Sequence, residues 1–271
     1  MNHVNNSLLG QETNYPTQYS PHVLYPIPRA PAREAYTHIQ ATAQGVDWWH
    51  VFEISWLDET GKPVVAIARL EIPAHSTNLI ESKSLKLYFN GFNFEKMSRE
   101  QFVRTAEQDL SQAAGAPVKI HLFAADDLAM SQPQGIYLDT LSPTQIAYQP
   151  DAKLLRFDNQ SDELMEQQYY SHLLRSNCPV TNQPDWGTVF IRYRGKKPCE
   201  QALLAYIISY RQHNGFHEQC VEHIFADIWT MLQPEQLMVY AAYTRRGGLD
   251  INPCRVSDMS WLPTPIRLAR Q

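Results

Sequence analysis

Apolar and polar residues alternate along two neighbouring stretches in the first half of the chain. Phe52, Ile54 and Trp56 are separated by polar residues, as on a strand with one buried face. The same alternation runs through residues 64–72, and the Asp-Glu-Thr-Gly-Lys stretch at residues 58–62 has the composition of a turn. The pattern predicts a β-hairpin.

Helical spacing follows the hairpin. A short amphipathic stretch covers residues 83–90, and Ser98 followed by Gln101 has the pattern of a capping box. Apolar residues then recur at helical intervals as far as Gly115, which can end a helix. Residues 118–123 predict another strand. The first half is therefore predicted to run strand, strand, helix, helix, strand.

The second half repeats this order. Residues 167–174 and 186–194 predict paired strands, residues 202–211 and 216–232 predict helices, and residues 237–243 predict a third strand. Two such copies predict an α+β fold of two tandem modules, each an antiparallel sheet packed against a pair of helices. A single mixed domain is the alternative, because the copies show no obvious sequence identity.

Proline content and polarity suggest where the chain divides. Residues 1–45 contain five prolines, which disfavours a long helix and predicts an irregular Pro-rich N-terminal arm. A polar stretch at residues 142–161 predicts the boundary between the modules. The first module is accordingly placed at residues 46–150 and the second at residues 151–271.

Charge and cysteine content limit the kind of protein. The 271 residues carry a net charge of −5, with no basic excess of the kind that a nucleic-acid binder shows. No apolar run is long enough to cross a bilayer, and the first residues lack the pattern of an export signal. The four cysteines form no C-x-x-C pair, which suggests reduced thiols in the cytoplasm.

A cysteine and an aspartate lie seven residues apart in a loop-rich segment at residues 176–187. A reactive thiol needs partial exposure and a partner for its proton, and a loop carrying Cys178 and Asp185 would provide both. However, a free cysteine is more often a small buried hydrophobe, and Asp185 beside Trp186 is equally typical of a turn. Spacing alone favours the structural interpretation.

A second candidate segment opens the predicted helix at Phe216. Glu218 could simply cap the first turn, where the helix dipole favours a carboxylate. An ionised Glu also suits a ligand with two adjacent N–H groups, such as a guanine-like edge, and His217 could donate to a ring carbonyl or relay a proton. A zinc interpretation combines His217 with Cys220 and Cys178, although no strong zinc spacing is present.

Two further segments have the composition of anion sites. Residues 81–88 (E-S-K-S-L-K-L-Y) lie at a predicted helix start, where backbone N–H groups with Ser and Lys side chains favour a nucleotide phosphate. Arg245 and Arg246 precede Gly247 and Gly248, and glycine lets a ligand approach the backbone beside an arginine fork. The structural alternatives are a solvated helical turn and a charged β-turn.

Together these segments resemble the NADPH-dependent 7-cyano-7-deazaguanine reductases, the nitrile reductases of queuosine biosynthesis. The E-S-K-S-L-K at residues 81–86 resembles the family signature E-S-K-S-x-K. The S-N-C-P-V-T-N-Q-P-D-W-G at residues 176–187, the F-H-E at 216–218 and the R-R-G-G-L-D-I-N-P at 245–253 are also similar to it. The likeness runs from about Trp56 onward and is closest to the long, two-module form.

The resemblance implies a tunnelling fold, which the family shares with GTP cyclohydrolases and whose modules associate into barrels. It therefore implies at least a homodimer, a site that combines both modules, and a cytoplasmic enzyme with a small deazapurine substrate. It also implies two NADPH per nitrile and no metal. Neither a nucleic acid nor a membrane is expected as a partner.

The resemblance also implies a role for each matching residue. Cys178 would attack the nitrile and form a thioimide, Asp185 would transfer protons, and His217 would assist. The implied substrate-binding residues are Ile80, Glu81, Ser82, His217 and Glu218. The implied NADPH-binding residues are Ser82, Lys83, Lys86, Arg246 and Gly247.

Two other functions compete with this one. A zinc-dependent cyclohydrolase on the same fold would use Cys and His ligands to activate water. A purine- or tRNA-binding module would keep Glu218 but would need no reactive thiol. The lack of a basic surplus argues against binding of tRNA.

Overall fold

A computed structural model describes residues 16–158 and 164–271, so the first 15 residues of the predicted arm and residues 159–163 lie outside the described part. Compact packing groups the described chain into two units. The first contains residues 16–35, 47–129 and 245–250, and the second contains residues 36–46, 130–158, 164–244 and 251–271. The division into an arm and two modules near residue 150 stays a prediction.

The first unit contains two sheets and three helices. Its elements are β1 (Pro26–Pro28), α1 (Ala30–Arg33), β2 (Gly45–Leu57, from residue 47), β3 (Pro63–Pro73), β4 (Asn78–Ile80), α2 (Ser82–Asn90), α3 (Arg99–Ala114) and β5 (Lys119–Phe123). β3 lies between β2 and β5, and β1 pairs with β4 in antiparallel orientation. In the turn after β2, Asp58 accepts hydrogen bonds from the backbone N–H groups of Thr60 and Lys62. The predicted hairpin is thus confirmed.

The predicted capping box of α3 is also confirmed. The Ser98 hydroxyl accepts from the Gln101 N–H at 3.2 Å, and the Gln101 side chain accepts from the Ser98 N–H at 2.8 Å. Gly115 ends the helix with a φ of 71°, a left-handed conformation that glycine adopts without a steric penalty. Between these ends α3 buries one face, where Phe102 stacks on Trp56 with ring centroids 4.8 Å apart.

The arm is anchored to the first unit by a buried ion pair and a short strand. Arg29 contacts Asp47 at 2.6 Å and donates to the Ser76 hydroxyl at 3.0 Å, and all three residues are buried. β1 pairs with β4, and the Glu81 N–H then donates to the Tyr25 carbonyl at 2.9 Å. The arm thereby fixes the backbone where the E-S-K-S segment begins.

The second unit is one sheet with a pair of helices. Its elements are β6 (Ile136–Tyr137), β7 (Leu164–Asn177), β8 (Pro184–Lys196), α4 (Glu200–Ser209), α5 (His217–Leu232), β9 (Gln236–Tyr243) and β10 (Leu249–Val256, from residue 251). The strand order is β10-β9-β8-β7-β6, and each neighbouring pair is antiparallel except β6 and β7. β10 was not predicted, because Asp250, Asn252 and Pro253 interrupt its apolar pattern.

The core of the second unit lies between its helices and the inner face of its sheet. The buried residues include Leu203, Leu204, Ile207, Val221, Ile224, Phe225, Ile228, Val189, Ile191, Leu237 and Val239. α5 is further tied to β10 by a buried ion pair in which Arg255 donates to Glu222 at 2.7 Å. Removal of either partner would leave an uncompensated buried charge, so the pair has to be kept or lost as a whole.

Both units combine antiparallel strands with helices, which confirms the predicted α+β class. In the part of the chain that the structure describes, no helix is both long enough and apolar enough to span a membrane.

Candidate active site

The β7–β8 hairpin brings the predicted nucleophile and its acidic partner to one face of the sheet. Ser176 lies opposite Asp185 in the register, and Cys178 follows Ser176 by two positions, just past the end of β7 at Asn177, where strand alternation would direct its side chain to the same side. The Cys178 N–H donates to the Gln183 carbonyl at 2.9 Å, which continues the ladder past the last strand pair. Diagonal neighbours in such a ladder lie ~7–8 Å apart and are in reach of each other's side chains.

The thiol is less exposed than the sequence suggested. Cys178 is 3% exposed and Asp185 is 4% exposed, so the expectation that the loop leaves the cysteine partly exposed is wrong. The ladder explains this, because the Asn182 N–H also donates to the Cys178 carbonyl at 3.0 Å and holds the cysteine inside the hairpin end. Of the six residues 178–183, only residues 181–183 are exposed.

The same hairpin end is hydrogen-bonded to the segment that leads into α5. The Asn177 N–H donates to the His213 carbonyl at 2.8 Å, and the Gly215 N–H donates to the Asn177 carbonyl at 3.1 Å. Between them, the side-chain amides of Asn177 and Asn214 pair at 3.2 Å. Because α5 begins two residues later at His217, these bonds bring its first turn to the residue that precedes Cys178.

The first turn of α5 carries the other two predicted residues of this cluster. His217 Nε2 lies 3.3 Å from an Asp185 carboxylate oxygen, which is within ion-pairing distance when the imidazole is protonated. Glu218 is 3% exposed and lies at the helix N-terminus, where the dipole favours its ionised form. Cys178, Asp185, His217 and Glu218 are therefore brought together within one unit.

A second cysteine one turn along α5 is chemically different. Burial raises the pKa of Cys220 to about 12; the Ser176 and Tyr243 hydroxyls lower it, while the charges of Asp185 and Glu218 raise it. Cys220 therefore stays a thiol at neutral pH and is a poor nucleophile. Sequence reasoning missed Ser176 and Tyr243 as parts of this site. Ser176 stands in the S-N-C motif, whereas nothing in the sequence marked Tyr243.

The described residues contain no ligand set that would support the zinc interpretation. Within residues 16–158 and 164–271, no group of three or more His, Cys, Asp or Glu side chains is arranged to hold a metal ion. This includes Cys178, His217 and Cys220, the three residues that the zinc interpretation combines.

The first unit contains a separate cavity of about 430 Å³, a size typical of small-molecule sites. Its wall includes Lys83, Lys86 and Gly247, three of the predicted NADPH-binding residues, whereas Ser82 and Arg246 are absent from it. The other lining residues are Val51, Phe52, Glu53, Ser55, Phe89, Asn90, Asn93, Gly248 and Leu249. The cavity thus combines two cationic side chains and one carboxylate, Glu53, with amides and an apolar wall.

The glycine pair is required at the edge of this cavity. Gly247 has a φ of 56°, and a Cβ there would lie 3.0 Å from the Lys86 ammonium nitrogen. Gly248 has a φ of 81°, and its Cβ would lie 2.3 Å from the Phe52 carbonyl oxygen. A side chain at either position would be strained, and it would crowd Lys86 at Gly247 or the Phe52 backbone at Gly248. Gly247 therefore leaves room beside the cationic wall.

The start of α2 differs from its predicted form. The Glu81 carboxylate accepts from the Lys83 and Ser84 N–H groups, both at 2.7 Å. The expected anion site on these backbone N–H groups is therefore wrong, because the preceding carboxylate already occupies them. Ile80 and Glu81 are both buried, and each Glu81 oxygen keeps a further lone pair for another donor.

Titration of His213, in the segment hydrogen-bonded to the residue before Cys178, should make the stability of the fold depend on pH. Burial, and then the charge of His223, lower the pKa of His213 to about 4. An unfolded histidine titrates near 6.5, so below about pH 6.5 the unfolded chain binds a proton that the folded chain does not. We expect stability to fall from pH 6.5 towards 4, by roughly 1–2 kcal/mol after allowance for the partly exposed ring.

The matched variant His213→Gln removes this titration. Urea denaturation at several pH values should show a smaller loss for the variant than for the wild type between pH 6.5 and 4. Equal losses in the two proteins would show that His213 carries a proton in both states or in neither.

Comparison with known proteins defines the class first. The family model described as "Nitrile reductase, 7-cyano-7-deazaguanine-reductase N-term" matches residues 15–122, and the one described as "QueF-like protein" matches residues 184–260. The first matched region contains Glu81, Lys83 and Lys86, and the second contains Asp185, His217 and Glu218. The class is therefore that of the nitrile reductases.

Full-length relatives specify the family. A protein of Acinetobacter baumannii named NADPH-dependent 7-cyano-7-deazaguanine reductase is 67% identical over 269 residues, which cover 99% of each chain. A protein of the same name from Psychrobacter cryohalolentis is 49% identical over 97% of this chain and 98% of its own. A solved structure of the archaeosine synthase QueF-Like in the apo form aligns with a TM-score of 0.31 at 19% identity, over 36% of this chain and 95% of that chain. This chain belongs to the NADPH-dependent 7-cyano-7-deazaguanine reductase family, which confirms the predicted family.

Proposed function

We propose that the protein reduces the nitrile of 7-cyano-7-deazaguanine to 7-aminomethyl-7-deazaguanine with NADPH, as a step of queuosine biosynthesis. One observation supports this most strongly. A single hairpin places Cys178 and Asp185 on one face, and the first turn of α5 adds His217 and Glu218 beside them. In this proposal Cys178 would be the nucleophile, Asp185 and His217 would carry protons, and Glu218 would bind the ring.

The first chemical step is addition of the thiol across the nitrile. The Cys178 sulfur bonds to the nitrile carbon, and one π bond of the C≡N group breaks. Asp185 accepts the thiol proton and passes a proton to the nitrile nitrogen as negative charge develops there. The product is a covalent thioimide on Cys178, and Asp185 returns to its starting state.

Two reductions complete the reaction. NADPH supplies a hydride when bound. The thioimide carbon accepts the first hydride, its nitrogen takes a proton, and cleavage of the C–S bond returns the thiol and releases an imine. The imine carbon accepts the second hydride and the imine nitrogen takes another proton. His217 would help to deliver that proton. A nitrile-to-amine conversion takes up four electrons, so two NADPH are oxidised per nitrile.

The substrate ring is expected to be recognised by carboxylate oxygens, which accept hydrogen bonds. Ionised Glu218 has only lone pairs to offer, so it matches the adjacent N–H groups of a guanine-like edge. Glu81, with its neighbours Ile80 and Ser82, is predicted to contact another part of the substrate, and its carboxylate retains capacity beyond the α2 cap. These contacts stay predictions.

The cavity of the first unit fits the anionic part of NADPH. Lys83 and Lys86 line it with positive charge, Gly247 leaves room beside Lys86, and Phe52 and Phe89 offer apolar surface. Lys83 and Lys86 would hold a phosphate, and positive charge suits the 2′-phosphate that distinguishes NADPH from NADH. Ser82 and Arg246 stay predicted contacts. A homodimer, a cytoplasmic location and independence from nucleic acid also stay predictions.

Loss of one lysine should weaken binding of NADPH specifically. We expect Lys86→Ala to raise the KM for NADPH by about 10- to 100-fold, the effect of losing one charge-assisted hydrogen bond. The KM for NADH should change much less, because NADH lacks the 2′-phosphate. Steady-state kinetics with both nucleotides measures this, and Lys62→Ala in the exposed turn after β2 is the charge-matched control. Equal changes for both nucleotides would place the 2′-phosphate elsewhere.

The proposed function is tested by the stoichiometry of the reaction. Purified protein supplied with the cyano substrate should consume two NADPH for each aminomethyl product, as measured by NADPH absorbance and by mass analysis of the product. Consumption of the nitrile without NADPH oxidation would point to hydrolytic chemistry. Binding of a deazapurine without any turnover would favour the non-enzymatic alternative.

A further inference from the structure

The imidazole of His217 lies face to face with the ring of Tyr243. The ring centroids are 3.8 Å apart and the planes differ by 3°. His217 begins α5 and Tyr243 ends β9, so the stack joins a helix start to a strand end. A parallel stack at this distance prevents the imidazole from tilting, because either edge would enter the phenol ring.

The stack matters because the second nitrogen of the imidazole is not held by a hydrogen bond. A functional histidine is ordinarily oriented by a hydrogen bond at the nitrogen that does not do the chemistry. Here His217 Nδ1 is buried and has no hydrogen-bond partner in the described residues, while Nε2 faces Asp185 at 3.3 Å. One contact at Nε2 would let the ring swing, so packing has to fix its plane.

The sheet is shaped to receive the Tyr243 ring. Gly187 pairs with Tyr243 across β8 and β9, and a Cβ at Gly187 would lie 3.1 Å from a Tyr243 ring carbon and 3.4 Å from Leu174. The φ of Gly187 is not positive, so the glycine is required for space and not for backbone conformation.

The ring of Tyr243, and not its hydroxyl, makes this contact. The hydroxyl is buried beside the Ser176 hydroxyl and the Cys220 thiol and is not part of the ring stack. The backbone of Tyr243 is held separately, because its N–H donates to the Asn252 side chain at 3.1 Å. Removal of the hydroxyl should therefore leave the stack in place.

We propose that Tyr243 is a positioning residue for His217, that its ring fixes the plane in which Nε2 meets Asp185, and that Gly187 provides the space for it. The inference rests on the proposed function, since orientation of His217 matters to turnover only if His217 takes part in the reaction.

The test compares Tyr243→Leu with Tyr243→Phe. In protein labelled at histidine, the ring protons of His217 should be shifted upfield by the Tyr243 ring in NMR spectra, a signature that needs neither substrate nor activity. Tyr243→Leu should abolish this shift and lower kcat by about 10- to 100-fold, the range for a misplaced catalytic group. Tyr243→Phe should keep both the shift and a kcat within about twofold of wild type, because the ring remains.

Wild-type kcat in a folded Tyr243→Leu protein, or an equal loss in Tyr243→Phe, would overturn the proposal. Should Tyr243→Leu fail to fold, Gly187→Ala provides the second test, since its methyl group would displace the Tyr243 ring while retaining it. A reduced upfield shift and a reduced kcat in Gly187→Ala would support the proposal, and unchanged values would overturn it. Absence of nitrile turnover in wild type would instead remove the proposed function, and the NMR comparison would still decide whether Tyr243 holds the imidazole.

Discussion

Cys178→Ala should lose nitrile reduction by roughly 10⁴-fold or more, the scale seen when a covalent nucleophile is removed. The physical reason is that no other described group on this face of the hairpin matches a thiolate as a nucleophile towards a nitrile. The neighbouring Cys220 cannot substitute, because burial raises its pKa to about 12. The measurement is NADPH oxidation under single-turnover and steady-state conditions with the purified variant.

The control for this variant is Cys199→Ala. Cys199 precedes α4 and makes no side-chain capping hydrogen bond, so its loss should leave both fold and rate near wild type. The cysteine mechanism would be refuted if Cys178→Ala turned over at a rate within tenfold of Cys199→Ala, a margin far smaller than nucleophile removal allows.

Glu218→Gln should lower kcat/KM for the cyano substrate by about 10²- to 10³-fold. The substitution keeps the shape of the side chain but replaces one acceptor oxygen with a donor, so a buried N–H of the ring would face another N–H and lose a charge-assisted partner. Glu218 is 3% exposed, and water is therefore poorly placed to repair the mismatch. Competition with deazapurine analogues that lack the exocyclic amine gives the diagnostic measurement.

The wild-type protein should discriminate strongly against those analogues in favour of the cyano substrate. The Glu218→Gln variant should discriminate against them only weakly. Glu200→Gln is the matched control, since Glu200 is also an acid in the first turn of a helix in the same unit. A similar loss in both variants would mean that the effect comes from helix capping and not from recognition of the ring.

The elements of the fold were largely predictable from local pattern. The hairpin after Trp48 follows from period-two alternation, and α3 follows from the Ser98 capping box together with Gly115, because each signal is set by neighbouring residues. β10 was missed for the converse reason. Its polar residues and Pro253 do not fit the apolar pattern of a buried strand. They are accommodated because neighbouring strands and side chains hydrogen-bond with them, as the Tyr243 N–H does with Asn252.

The site was predictable as a set of residues but not as an arrangement. The motifs brought Cys178, Asp185, His217 and Glu218 to attention, and the hairpin and α5 do bring them together. Sequence could not show that the ladder at Gln183 buries Cys178. Nor could it show the stack of Tyr243 on His217, since that contact depends on strand register and helix placement over 25 residues of intervening chain.

Intact-protein mass spectrometry after incubation with 7-cyano-7-deazaguanine in the absence of NADPH would detect the Cys178 thioimide itself. If Cys178 is the nucleophile, the protein should gain the whole substrate mass, located on Cys178 by peptide mapping, and should lose it again when NADPH is added. A protein that reduces the nitrile but never carries this adduct, or carries it on another cysteine, would rule out covalent catalysis by Cys178.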